Sequence, residues 1–146
     1  MFSADEGAWQ QLAELHLKAG RYEAAAFCYE ELVLMQPTSH LYHCRLAELY
    51  ATVGPKQLLA ARKHFAQSLD LKRAGNARAL HGLCGCCAAI ADRAAKDRKL
   101  TPTEADVETN AALHAWAVAA LQRLYTDVAP PALLQVLTAT QEAQAL

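Results

Sequence analysis

A run of five residues returns 34 positions further along the chain, where Leu12-Ala13-Glu14-Leu15-His16 becomes Leu46-Ala47-Glu48-Leu49-Tyr50. The same interval separates Trp9 from His43 and Gly20 from Gly54. A repeat of this length is typical of helix–turn–helix units that bury their apolar faces only against their neighbours. The chain is therefore predicted to stack helical pairs into a solenoid, an architecture that favours holding partners over turning over substrates.

The first unit carries the spacing of a tetratricopeptide (TPR) repeat. Trp9 and Leu12 fall on its first helix, Ala25 and Tyr29 on its second, and Pro37 closes the unit. Ala, Leu, Glu, Gln and Arg dominate over Val, Ile and Thr, which favours helices throughout. We predict an all-α fold, a TPR-type helical solenoid of about two to three helix–turn–helix units followed by a C-terminal capping helix.

Unit boundaries follow from the turn residues. The predicted divisions are a first TPR unit at 3–39, a second at 40–75, a divergent helical pair at 76–127 and a capping helix at 131–144. In the second unit Ala61 and Phe65 correspond to Ala25 and Tyr29 at an interval of 36, so two residues are inserted before Ala61. A longer turn or helix start is expected there.

Local signals indicate how several helices begin. Residues 3–6 and 101–104 each have the pattern of a capping box, and Asn76 is expected to cap a fifth helix. Gly82 and Gly85 fall inside that fifth helix, where a glycine costs about 1 kcal/mol relative to alanine. Close backbone packing is the expected reason for both.

Charge is unevenly distributed along the chain, although the net charge is −1. Residues 1–50 carry −4, residues 51–100 carry +7 and residues 101–146 carry −4. The basic middle could meet an acidic partner or anionic lipid headgroups, while a solvated face of mixed charge is the simpler interpretation. Nucleic-acid binding is not predicted, because the basic residues are not interleaved with aromatic residues that look exposed.

Neither a signal peptide nor a membrane span is predicted. Asp5 and Glu6 follow closely on Met1, which is unlike a secretory leader. The longest uncharged stretches run only 13 or 14 residues, against roughly 20 needed to cross a bilayer. We therefore expect a soluble chain in a reducing compartment.

The cysteines are odd in number, with three of the five crowded into four positions, which is unlike a secreted disulfide framework. They are Cys28, Cys44, Cys84, Cys86 and Cys87. Cys84 and Cys87 have the spacing of half a zinc site, and Cys86 adds a third thiol. No second pair of ligands at similar spacing appears in the sequence. Buried cysteines acting as small apolar groups are favoured, with a zinc site or a redox pair as the alternatives.

No catalytic constellation is predicted. His40, His43 and Cys44 could supply metal ligands at a helix start, but one short cluster seldom makes a metal site. Adjacent carboxylates such as those of Glu30 and Glu31 point apart on a helix. The sequence has no Gly-rich phosphate loop with its lysine. We predict no enzyme activity, no cofactor and no bound metal.

The first helices of the units are expected to line the inner wall of the solenoid and to meet partners. The candidate partner-binding residues are Arg45, Glu48, Arg62, Lys63, Arg78 and His81. Further positions expected on this wall are Gln10, Gln11, Glu14, Lys18 and Tyr42. These positions are mixed in charge and lack the clustered Lys, Asn and Arg residues of TPR grooves that bind a carboxylate terminus.

Several motifs contain residues that TPR geometry does not require. They are Ala8-Trp9-x2-Leu12-Ala13-Glu14-Leu15, Tyr22-x-Ala24-Ala25-Ala26-Phe27-Cys28-x-Glu30-Glu31-Leu32, Pro37-x2-His40-Leu41-Tyr42, Ala61-Arg62-Lys63-x-Phe65-Ala66-Gln67 and Asn76-x-Arg78-Ala79-Leu80-x-Gly82-Leu83. Together they resemble the family of subunit 2 of the endoplasmic reticulum membrane protein complex. The resemblance covers about residues 5–91 densely, and it fades across the C-terminal helices.

The resemblance implies a non-catalytic cytosolic scaffold subunit, peripheral on the endoplasmic reticulum membrane, in an insertase for tail-anchored and multi-pass proteins. Its implied partners are the cytosolic parts of membrane subunits and a soluble sister subunit, so membrane contact would come only through partners. Family members carry further TPR repeats upstream, so the chain is expected to match their C-terminal portion. The alternative is a free TPR adaptor or co-chaperone that binds a peptide or helix in its groove.

Overall fold

The computed structural model describes residues 5–96, 104–128 and 139. Within these residues the chain forms α-helices, one short 3-10 turn and no strand. The helices are α1 (Glu6–Lys18), α2 (Tyr22–Met35), α3 (His40–Val53), α4 (Leu58–Leu71), α5 (Ala77–Lys96) and α6 (Glu104–Val128). The capping helix predicted over 131–144 lies, but for Ala139, outside the described residues.

Successive helices pack in pairs, α1 on α2, α3 on α4 and α5 on α6. Neighbouring pairs are joined by contacts of α2 with α3 and of α4 with α5. The first helices of the second and third pairs, α3 and α5, also contact each other. The predicted all-α helical repeat is confirmed, and its first helices lie on one side of the stack.

The end of α1 is a turn that contains Gly20. The Gly20 amide donates to the Leu17 carbonyl at 3.1 Å, and the Arg21 amide donates to the His16 carbonyl at 2.8 Å. Gly20 adopts a φ of 71°, in the left-handed region that this type of helix end requires. The helix therefore ends at Lys18, two residues before this left-handed glycine.

The start of α1 differs from the predicted capping box. Its N-cap is Asp5, whose carboxylate accepts from the Ala8 amide at 3.3 Å. Glu6 does not complete a box at the third helical position, because it is the first residue of α1 and binds elsewhere. Its carboxylate accepts from the Tyr42 hydroxyl and from Gln36 Nε2, the latter at 2.6 Å. Residues 101–103 of the second predicted box lie outside the described residues.

The two inserted residues of the second unit are accommodated before α4. A 3-10 turn over Pro55–Gln57 separates α3 from α4, and the Gln57 amide donates to the Gly54 carbonyl at 3.1 Å. Pro55 starts this turn, where its missing N–H costs nothing. The longer turn expected at this point is confirmed.

The two helical glycines have different surroundings. A Cβ added to Gly82 would lie 2.2 Å from Cε1 of Phe65, whereas a Cβ added to Gly85 would meet nothing within 4 Å. The Phe65 ring is 2% exposed. The expectation of close packing is confirmed for Gly82, where the helix approaches the ring, and it is wrong for Gly85.

Two apolar clusters form the core. One lies among α1, α2 and α3 and includes Leu32 and Leu46, and the other lies among α3 to α6 and includes Phe65 and Leu83. Tyr50 packs against both clusters. The core is therefore continuous along the stack, as expected when each pair is buried by its neighbours.

The repeated leucines are buried in the second unit and exposed in the first. Leu46 and Leu49 are 1% and 6% exposed because α3 packs against α2. Their counterparts Leu12 and Leu15 are 40% and 63% exposed on α1. The outer side of α1 thus presents an apolar edge built from the same residue types that are buried one repeat later.

Candidate partner-binding surface

Glu48 on α3 is the centre of an ion-pair cluster that joins two neighbouring helical pairs. Arg78 on α5 donates from Nε to Glu48 Oε1 at 2.5 Å and from Nη2 to Oε2 at 2.7 Å. Arg45, three residues before Glu48, lies 4.0 Å from the same carboxylate. Two parallel bonds to one carboxylate fix both the distance and the angle of a guanidinium. The Glu48–Arg78 pair therefore ties α3 to α5 where the first helices meet.

Arg45 is the member of this cluster best placed to bind another molecule. Its side chain is 46% exposed and its contact with Glu48 is long. Arg78 instead commits two donors to Glu48, and that hydrogen bonding raises the pKa of Arg78. An exposed ion pair contributes only about 0–1 kcal/mol, so Arg45 can exchange Glu48 for a partner carboxylate at little cost.

His81 continues the same side of α5, one turn after Arg78. Its Nε2 lies 2.7 Å from the Tyr125 hydroxyl of α6, and the two rings are tilted with centroids 5.9 Å apart. We call the surface formed by Arg45, Glu48, Arg78 and His81 the first-helix surface. Four of the six predicted contact residues thus lie on α3 and α5. No sequence pattern indicated Tyr125, which comes from the divergent third pair.

Arg62 and Lys63 do not join this surface. Lys63 is exposed on α4, whereas Arg62 is buried at the contact of α4 with α6. Arg62 Nη1 donates to the Asp106 carbonyl at 3.3 Å and to Asn110 Oδ1 at 3.4 Å. Its Nη2 lies 3.5 Å from the Asp106 carboxylate. Arg62 is therefore a structural cation that links the second helices of two pairs, and not an exposed contact residue.

A repeat alignment carries a signal for the burial of Arg62. The interval of 36 that aligns Ala25 with Ala61 also aligns Ala26 with Arg62, and Ala26 is buried. An arginine at a buried repeat position needs hydrogen-bond acceptors to offset its desolvation. Asn110 provides one of them, and its own Nδ2 donates to the Cys87 carbonyl at 2.9 Å.

Tyr42, expected on the inner wall, is buried between α1 and α3. Its hydroxyl donates to Glu6 and accepts from Gln10 Nε2 at 2.5 Å. Burial, strengthened by the bond to Glu6, raises the pKa of Tyr42. Tyr42 thus lies between the first helices, where its hydroxyl joins the first two pairs and is not available to a partner.

Two histidines, one from α3 and one from α4, form a hydrogen bond between the helices of the second pair. Nδ1 of His43 lies 3.0 Å from Nδ1 of His64, and Nε2 of His43 lies 2.8 Å from the Pro37 carbonyl. A carbonyl can only accept, so His43 carries its proton on Nε2 and its Nδ1 accepts from His64. The pKa of His64 is lowered, mainly by burial and in second place by the neighbouring His43.

Most of the cysteine thiols are buried among apolar side chains. Cys86 and Cys87 are buried and Cys84 is half-buried, which confirms the small-apolar interpretation for the first two. Burial raises the pKa of Cys86 to about 11 and that of Cys87 to about 12. These thiols are therefore protonated at neutral pH. Within the part of the chain that the structure describes, no three His, Cys, Asp or Glu side chains are grouped to hold a metal ion.

The paired helices, the shared side of first helices and the glycine-ended α1 define an all-α repeat protein of the TPR type. Residues 1–71 match the family described as the EMC2 TPR-like repeat domain. The chain belongs to this family, that of subunit 2 of the endoplasmic reticulum (ER) membrane protein complex.

Alignments with individual proteins agree with the family match. The chain is 35% identical over 125 residues to ER membrane protein complex subunit 2 of Xenopus tropicalis and, equally, to subunit 2-A of Xenopus laevis. Each alignment covers 85% of this chain and 40% of the relative, so the chain spans less than half the length of these proteins. It is also 33% identical over 73 residues to the TPR repeat protein oca3 of Schizosaccharomyces pombe, covering 48% of this chain and 26% of that protein. None of the described helices is long and apolar enough to cross a membrane.

Proposed function

We propose that this chain is a non-catalytic scaffold in the ER membrane protein complex, held at the cytosolic side of the membrane by other subunits. Family membership and the stacked helical pairs support this proposal. The relatives are named as subunits of that complex. The observation that carries the contact surface is the exposed cluster of Arg45, Glu48 and Arg78 on the side shared by α3 and α5.

The proposed partners are the cytosolic parts of membrane-embedded subunits and a soluble sister subunit. In this role the chain would position its partners, and insertion of tail-anchored and multi-pass proteins would be performed by the subunits that span the bilayer. The first-helix surface suits such a task because its shape is fixed by the Glu48–Arg78 pair. Arg45 supplies a cation that can bind a partner carboxylate without breaking that pair.

Affinity purification from cells tests the scaffold proposal. The tagged chain should recover subunits of the ER membrane protein complex, and recovery of chaperones without any such subunit would contradict the proposal. That second outcome would support the alternative, a free TPR adaptor that binds a peptide or helix in its groove.

A charge reversal tests the contact surface. Arg45→Glu should reduce recovery of at least one subunit, because it replaces the Arg45 cation, which is available to a partner carboxylate, by an anion. Arg93→Glu is the matched control, since Arg93 is an exposed arginine on α5 outside that surface. Circular dichroism should show equal helix content for both variants. Equal recovery with the two variants would place the contact elsewhere on the chain.

A further inference from the structure

A second surface feature lies apart from the first-helix surface, between the α4–α5 turn and the second half of α6. It is a pocket of about 400 Å³. Two arginines line it, Arg73 from the turn and Arg123 from α6, together with the apolar side chains of Leu80, Trp116 and Leu124. The pocket thus combines cations with an apolar wall.

The charge inside this pocket is positive. The lining contains two guanidinium groups and one carboxylate, that of Asp127. Arg73 lies 4.0 Å from Asp70 in a pair whose side chains are both more than 70% exposed, so this pair is weak. Arg123 forms no ion pair with any described residue. An incoming anion therefore displaces no strong internal partner.

Trp116 gives the pocket its aromatic wall. The guanidinium carbon of Arg73 lies 5.9 Å from the centroid of the Trp116 ring, within the range of a cation–π contact. The ring is partly exposed. A ligand that covered the ring with an apolar group could still reach the guanidinium with a carboxylate. A bare inorganic anion would leave Trp116, Leu80 and Leu124 uncovered.

The turn that carries Arg73 is held in place by Asn76. The buried Asn76 donates from Nδ2 to the Ser68 carbonyl at 3.3 Å, to Ser68 Oγ at 3.1 Å and to the Lys72 carbonyl at 3.0 Å. Gly75, between Arg73 and Asn76, adopts a φ of 72° that suits only glycine well. The rim of the pocket is therefore formed before a ligand arrives, which lowers the entropic cost of binding.

We propose that this pocket binds a carboxylate carried next to an apolar side chain. Either the free C-terminus of a peptide or an internal acidic residue beside a leucine supplies that chemistry. The carboxylate pairs with Arg73 and Arg123, and the apolar side chain packs on Trp116. This inference does not depend on the proposed scaffold function, because it concerns a separate surface and other residues.

Tryptophan fluorescence of the full chain tests the proposal. The chain has two tryptophans, so Trp9→Phe leaves Trp116 as the reporter inside the pocket. Three acetylated tetrapeptides serve as probes: one ending in leucine with a free carboxylate, the same peptide amidated, and an amidated peptide with aspartate before the leucine. At least one carboxylate peptide should bind about tenfold or more tightly than the amidated control. Whichever of the two binds more tightly identifies the source of the carboxylate.

Substitutions locate the binding. Arg73→Gln and Arg123→Gln should each weaken the tighter peptide about tenfold, since each removes one charge-assisted contact. Arg93→Gln is the matched control, an exposed arginine on α5 that does not line the pocket. Equal binding of the carboxylate and amide peptides would overturn the proposal. So would the absence of any binding, or variants at Arg73 and Arg123 that bind as well as the control.

Discussion

Gly82 and Gly85 lie three residues apart in α5, and alanine at each should change stability in opposite directions. Gly82→Ala places a methyl group 2.2 Å from Cε1, 2.4 Å from Cζ and 2.8 Å from Cδ1 of Phe65. Gly85→Ala places one in open space. The same chemical change in the same helix therefore separates packing from helix propensity.

The magnitudes follow from these surroundings. Overpacking a core costs about 1–3 kcal/mol, and the contact at Gly82 is short enough, against the buried Phe65 ring, to fall in the upper part of that range. Alanine returns about 1 kcal/mol through helix propensity, which leaves Gly82→Ala destabilised by about 1–2 kcal/mol. Gly85→Ala should raise the free energy of unfolding by about 0.5–1 kcal/mol, because only the gain in helix propensity applies there.

Urea denaturation followed by far-UV circular dichroism measures both variants against the original chain. The two should differ by about 2 kcal/mol in the free energy of unfolding. Adding Phe65→Leu to both the original chain and Gly82→Ala completes a double-mutant cycle, in which the penalty at residue 82 should shrink. If Gly82→Ala is as stabilising as Gly85→Ala, the close approach of α5 to Phe65 is refuted.

Three further predictions concern buried polar groups. Arg62→Ala should lower the free energy of unfolding by about 2 kcal/mol in urea denaturation, because Asn110 and Asp106 lose their donor. A decrease no larger than that caused by Lys63→Ala would contradict this. The lowered pKa of His64 means that the unfolded chain binds more protons below the ordinary value of 6.5, so the melting temperature should fall from pH 7 to pH 5. His64→Gln should flatten that dependence, and an unchanged slope would remove His64 as its cause. The cysteine thiols of α5 with pKa values near 11 and 12 should react slowly with a disulfide reagent at pH 8 and rapidly in urea, which a spectrophotometric thiol assay measures.

The fold was predictable where the repeat applies. The interval of 34 aligns leucines that lie on the same side of each first helix, and Gly20 ends a helix for a reason visible in its residue type. Periodicity could also locate Gly82 and Gly85 inside a helix. It could not tell which of them faces Phe65, because that depends on how α4 and α5 lie relative to each other.

The candidate site was predictable only in part. Arg45, Glu48 and Arg78 share one side because the first helices of a repeat face the same way. Arg62 reads as a surface cation in sequence, and its partners Asp106 and Asn110 lie more than 40 residues later, on a helix where the repeat has faded. Tyr125 was missed for the same reason.

The apolar edge at Leu12 and Leu15 has a consequence for the stability of the repeat. In a repeat protein the stability of the whole is the sum of the contribution of each unit and of the contacts between neighbouring units. Leu46 and Leu49 are covered by the preceding pair, whereas Leu12 and Leu15 leave much of their area in contact with water. Burying apolar area contributes about 25 cal/mol per Å², so the same residue type stabilises the second unit more than the first. Any helix that packed against this side of α1 would gain the part of that free energy which the exposed leucines leave unused.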